Sequence, residues 1–278
     1  MIIAFKENAE GVLLACFELL EHPGSGLVFA KDMTELKSKL SFSGMNCDVG
    51  TLGFRPSVNC SELAVKLLGK RKDRMFQGDP GMERYIDLVL RHSKCNPAEL
   101  VNFICSCRGN ADMLYSGKTR IGKKYYNYMR DVTRSYQRLC MFARPDFVNG
   151  MLSVDVDSPH HIGDMFCRWL SAKNPDVPVS VVERDIAWIG NGRYVGMDNF
   201  TSIRSSFVES LSSSRESEGV DELWDIYYDS QMITNRRNKR HAKQVQPKVS
   251  SSMSEMSKRD RYKVERGIAN CTLDGFTG

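Results

Sequence analysis

The chain has 278 residues, 41% apolar and 26% charged, proportions of an ordinary globular protein that exclude wholesale disorder. The longest apolar run near the N-terminus, Gly11 to Phe17, is far short of the ~20 residues a membrane span needs, and Glu18 and Glu21 follow it, so no membrane segment is expected. The net charge of +5 is unevenly spread: Arg236 to Arg266 holds eleven Lys or Arg against three acids, which leaves the remainder net acidic.

Met1 to Lys6 reads as a short strand and Asn8 to His22 as an amphipathic helix, with Val12, Leu13, Cys16, Phe17, Leu19 and Leu20 on or near one face. Met1 to Gly11 offers neither the basic region nor the cleavage site of a secretory signal, so a cytoplasmic location is expected. Pro23 to Gly26 breaks the helix, Leu27 to Ala30 looks like a strand, and Ser41 to Ser57 has the Gly, Ser and Asn content of a loop. Helices are expected over Ser61 to Lys70, with Ser61 as cap, then Met82 to His92 and Pro97 to Cys107, where Pro97 suits a first turn.

The longest predicted helix runs from Gly122 to Phe142, with Tyr125, Met129, Val132, Tyr136 and Leu139 forming an apolar stripe. Arg130, Arg134 and Arg138 recur every four residues on another face, and Arg144 follows. Such a row either clamps successive phosphates through forked hydrogen bonds or is a solvated face with Asp131 and Asp146 nearby. Tyr125, Tyr126 and Tyr128 either stack on bases or belong to the core.

After Pro145 the period changes to two. Phe147-Val148, Asn149-Gly150 and Met151 to Val156 read as a hairpin around a type I′ turn, and Pro159 to Ala172 as a helix. Val179 to Val182 is a strand candidate. Ile186 to Ile189 and Arg193 to Val195 are expected to form a second hairpin around Asn191-Gly192. The fold class is therefore α+β, a helical N-terminal half with an antiparallel sheet rather than a parallel doubly wound one, and a basic helical C-terminus. The expected organisation is a core over residues 1–200, mainly helical to 144 and sheet-rich from 145. A Ser-rich loop at 201–219, a helix at 220–247 packing on the core and a basic tail at 248–278 complete it.

Nine cysteines are scattered with no CxxC pair, and the tight Cys105-Ser106-Cys107 is unmatched by a second, so reduced thiols are favoured over zinc and no cofactor is implied. His160 and His161 stand beside Asp155, Asp157 and Asp164, a group that admits acid-base chemistry, a metal or a structural role. Asp155 and Asp157 alternate on a strand, and without a third ligand they suit a polar outer face. Gly190-Asn191-Gly192 opens a strand and lacks a following Lys-Ser or Lys-Thr, so it reads as a turn and not as a phosphate loop.

Four stretches in this order carry a likeness: Gly11-Val12-Leu13-Leu14-Ala15-Cys16-Phe17; the long helix ending Arg138 to Arg144; Asp157-Ser158-Pro159-His160-His161-Ile162; and Leu223-Trp224 with Tyr227, leading to Arg236-Arg237-Asn238 and Pro247. Together they resemble a bacterial and archaeal family of unknown function linked by description to DNA metabolism, whose members are typically encoded beside a radical-SAM protein and a related domain of which is fused to uracil-DNA glycosylase relatives. The resemblance covers Met1 to about Pro247 and places the family's His on His160 and its basic-basic-Asn element on Arg236, Arg237 and Asn238. The family's long helix carries a Glu and a His where this chain has Ser135 and Gln137, so if those family residues do proton chemistry, this chain cannot do it the same way.

These readings lead to the expectation of a nucleic-acid-binding accessory protein, with DNA and a radical-SAM or glycosylase-like protein as partners. Its contacts would come from Arg130, Arg134, Arg138 and Arg144, and from Arg236, Arg237, Asn238, Arg240 and Lys243. Two alternatives stand beside it: an enzyme acting on nucleic acid through His160 and its aspartates, and a protein-interaction module whose basic tail grips an acidic partner.

Overall fold

The first strand, β1 (Ile2–Lys6), is buried at Ile3, Ala4 and Phe5 in succession, the pattern of a strand covered on both faces. In this computed structural model β1 pairs in parallel with β2 (Gly26–Ala30) and with β3 (Thr51–Leu52), in the order β2-β1-β3. The structure describes residues 2–42, 51–52, 59–70, 81–115, 117–143, 145–148, 150–212 and Tyr262. It divides into two compact units, Met1–Arg134 and Ser135–Gly278.

In the first unit, α1 (Ala9–Glu21) makes the crossover between β1 and β2. Asn8 caps it by accepting from the Gly11 N–H at 2.8 Å, and a Cβ at Gly11 would collide with the Lys6 carbonyl. Its buried face of Val12, Leu13, Ala15 and Cys16 packs on β1 and on α3 (Cys60–Leu68), α4 (Met82–Leu90) and α5 (Pro97–Ser106). The α2 helix (Met33–Phe42) and the short α6 (Ala111–Tyr115) were not expected from the sequence. The cap of α3 is Asn59, whose side chain accepts from the Ser61 N–H, in place of the expected Ser61.

The helix α7 (Arg120–Phe142) carries the division between the units and begins two residues before its expected start. Tyr125, Met129, Val132 and Leu139 of its apolar stripe are buried, and Tyr136 is half-buried.

The second unit holds a five-stranded sheet in the order β4 (Asp146–Val148), β5 (Met151–Asp155), β6 (Val179–Glu183), β7 (Ile186–Gly190), β8 (Phe200–Arg204). The β4 and β5 strands pair antiparallel with Val148 opposite Met151. Two features of the sheet depart from expectation. The β5 and β6 strands are parallel, joined by the crossover helix α8 (Gly163–Lys173), so the sheet is mixed; with the parallel sheet of the first unit, the architecture is α+β but not wholly antiparallel. Asn191-Gly192 is not a hairpin turn: β7 pairs antiparallel with β6 through Arg184-Asp185, and Gly192–Val195 is a 3₁₀ turn on the way to β8. Arg184 takes a left-handed φ of 57°, unusual for a side chain of its size.

Alternation along β7 assigns the layers. Ala187 and Ile189 cluster with Val208 of α9 (Ser205–Ser212), whereas Trp188 and Gly190 meet α8 on the opposite face. The expected Ser-rich loop therefore contains β8 and α9 in its first part, up to residue 212. Asn149, Arg144, and the expected helix at 220–247 and basic tail lie outside the described residues, Tyr262 excepted. No helix among the described residues is long and apolar enough to cross a membrane.

Candidate nucleic-acid interface

The α7 helix positions Arg130, Arg134 and Arg138 by its own geometry. Steps of four residues advance about 6 Å along the axis and about 40° around it, so the guanidinium groups follow a shallow spiral away from the apolar stripe. Arg130 and Arg134 are exposed and Arg138 is half-exposed. Among the described residues no hydrogen bond or ion pair engages any of the three, although Asp131 lies on the same helix. Lys123, seven residues before Arg130 and exposed, extends the row by two turns; its heptad offset was the signal that could have found it. Its neighbour Lys124 is occupied, its ammonium 2.9 Å from Glu99, which holds its pKa above the usual value.

The tyrosines of α7 are already spent on intramolecular packing. Tyr125, 1% exposed, stacks on Phe103 at 5.1 Å and meets Tyr128 edge-on at 5.8 Å, and Tyr128 lies flat on His92 at 3.8 Å. This leaves Tyr126, half-buried, outside those stacks. Base stacking by the cluster as a whole is therefore replaced by core packing.

His160 lies before α8 and not in it, because the helix begins at Gly163, four residues later than expected. His160 is 7% exposed, and its backbone N–H donates to Ser158 Oγ at 3.1 Å. Asp155 and Asp157 are exposed and Asp164 half-exposed, and they do not gather with His160 into a metal-holding group among the described residues. The grouping found there is Glu18, Glu21 and His22 at the end of α1, largely exposed.

What organises this segment comes from the end of β6 and the turn that follows it. Glu183 Oε1 accepts from the Ile162 and Gly163 N–H groups at 3.0 and 3.1 Å, placing a carboxylate at the positive N-terminal end of α8. Burial pushes the Glu183 carboxyl above the usual range, and the two backbone donors pull it partly back. Arg184 donates to the Ser158 and Pro159 carbonyls at 3.2 and 3.1 Å. His160 thus belongs to a braced strand-to-helix connection.

Arg144, Arg236, Arg237, Asn238, Arg240 and Lys243 lie outside the described residues. No curated protein and no solved structure matches the chain. A family described as a domain of unknown function, DUF4130, matches residues 99–254, more than half of the sequence, and the match takes in α7, the five-stranded sheet and α8. The chain belongs to the DUF4130 family.

Proposed function

We propose that the protein is a nucleic-acid-binding accessory protein of DNA metabolism or repair, working with a radical-SAM or glycosylase-like partner, and that α7 supplies its phosphate-contacting face. The observation that carries this reading is the row of Arg130, Arg134 and Arg138 on one helix, unpaired among the described residues and flanked by exposed Lys123. Surface arginines that serve stability are commonly paired with carboxylates; unpaired forks aligned along a helix keep their donors for phosphate oxygens. The eleven Lys and Arg from Arg236 to Arg266 supply further charge for the same kind of contact. Binding of this kind is largely indifferent to base sequence and weakens as salt replaces released counterions. The family likeness to DNA-metabolism proteins encoded beside a radical-SAM protein supplies the partner.

Fluorescence anisotropy with labelled single- and double-stranded DNA, titrated across salt concentrations, tests this reading. It predicts affinity that falls linearly on a double-logarithmic plot and varies little with sequence. Absence of salt-sensitive binding to either form overturns it. Co-purification with a radical-SAM partner that survives nuclease treatment, combined with negligible DNA affinity, would assign the protein to protein interaction instead.

A further inference from the structure

We infer that the recess where the C-terminal end of α8 meets β7 and β8 is a binding site for a phosphate monoester carrying a planar ring, the chemistry of a nucleoside monophosphate. The cavity measures about 320 Å³ and lies wholly within the second unit. That volume is at the lower end of the roughly 300–1,000 Å³ typical of small-molecule sites. This assignment stands apart from the α7 reading and uses none of its residues.

The floor of the recess is preformed. A Cβ at Gly190 would collide with Ser171 Oγ, so β7 reaches α8 this closely only because glycine stands there. Next to it Asn191, buried and left-handed with φ 54°, donates through Nδ2 to the carbonyls of Ser171, Asn174 and Val177 at 3.2, 2.8 and 2.9 Å. A helix C-terminus ordinarily repels anions through its free carbonyls. Here Asn191 takes up one helix-end carbonyl, that of Ser171, and those of Asn174 and Val177 just beyond the helix, which lessens that opposition.

The walls supply the recognition chemistry. The Arg168 guanidinium lies 3.6 Å over the Phe200 ring, which itself stacks on Trp188 at 5.9 Å and 15°. The ring contact takes none of the guanidinium's hydrogen-bond donors, and among the described residues none of them has a partner. Arg193 lines the same recess and is exposed, steadied by Tyr194, whose hydroxyl accepts from it at 3.2 Å. Among the described residues no Asp or Glu lines the cavity. Two guanidinium groups without a carboxylate favour a dianionic phosphate, and Arg168 with Phe200, both lining the recess, offers a cationic and aromatic surface for a planar ring. Asn199 adds a side-chain amide, unpartnered among the described residues, able to donate to and accept from a base edge.

Titration calorimetry of the full chain with adenosine 5′-monophosphate, adenosine and inorganic phosphate tests the site. We expect the nucleotide to bind at least tenfold more tightly than either fragment, and Arg168→Ala and Arg193→Ala each to weaken it tenfold or more. Lys39→Ala, in the first unit, should leave it unchanged. Circular dichroism checks folding, and Arg168→Lys, which keeps charge but loses the stacked fork, should fall between native and Ala. Equal affinity for adenosine and its monophosphate, no binding, or indifference to both arginine substitutions overturns the assignment. Displacement of the nucleotide by a 5′-phosphorylated oligonucleotide, but not by its 5′-hydroxyl form, identifies a strand terminus as the source; failure of both with retained nucleotide binding identifies free nucleotide.

Discussion

Replacing Glu183 tests how the second unit holds its crossover. Glu183 is 7% exposed, and its carboxylate accepts from two backbone N–H groups, those of Ile162 and Gly163, both buried. Each buried donor left without a partner costs about 1–3 kcal/mol. Glu183→Ala strands two donors but also removes a carboxylate whose ionised form is penalised by burial, so the net loss at pH 7 should be about 1–3 kcal/mol. The midpoint of thermal unfolding should then fall by about 2–10 °C.

Glu183→Gln retains an acceptor oxygen without the charge, and here pH separates the contributions. Because burial raises the folded pKa above its ordinary value, the folded state binds the proton more tightly than the unfolded chain. The contribution of Glu183 to stability is therefore fully present below the unfolded pKa and is lost as pH rises through the folded one. Urea unfolding followed by tryptophan fluorescence, in which Trp188 reports beside Gly163, should show the native protein losing stability relative to Glu183→Gln from about pH 4.5 upward. A parallel pH profile for the two proteins, or Glu183→Ala as stable as native within about 0.5 kcal/mol, would refute the reasoning.

Three further outcomes follow from single contacts. Asn191→Ala loses the bonds to three carbonyls and a residue tolerant of the left-handed region, and should cost about 2–3 kcal/mol in urea unfolding, with Asn191→Gly recovering the backbone part. Gly163→Ala places a methyl 2.9 Å from Trp188 Cδ1 and 3.0 Å from Glu183 Cβ; it should destabilise by about 1–3 kcal/mol and shift the tryptophan emission. Lys124→Ala removes a solvent-exposed pair with Glu99 and should change stability by no more than about 1 kcal/mol in the same assay.

Where the chain carries its structural instructions locally, they were legible. The α5 helix starts at Pro97, as the fit of proline to a first turn predicts, and α1 (Ala9–Glu21) lies within one residue of its expected bounds at each end. The apolar stripe and arginine row of α7 follow from one helical period. The parallel pairings of β1 with β2 and β5 with β6 were hidden, because parallel strands are joined through a helix and leave no turn signature. The start of α8 was misplaced because its capping carboxylate, Glu183, comes from a strand twenty residues on. Asn191-Gly192 has the dipeptide of a tight hairpin, yet Asn191 spends its left-handed backbone and its amide on the end of α8. Arg168 and Arg193 share no spacing or motif in the sequence; only the adjacency of α8 and the β7–β8 connection brings them to one recess.

The most direct measurement is the salt dependence of DNA affinity for the native chain against Arg130→Gln/Arg134→Gln/Arg138→Gln. Three phosphate contacts on a duplex account for a slope of about −2.7 in log affinity against log salt, so between 50 and 200 mM salt the native protein should lose about 40-fold more affinity than the variant. Superimposable slopes with unchanged affinity would contradict the assignment of α7 to nucleic acid.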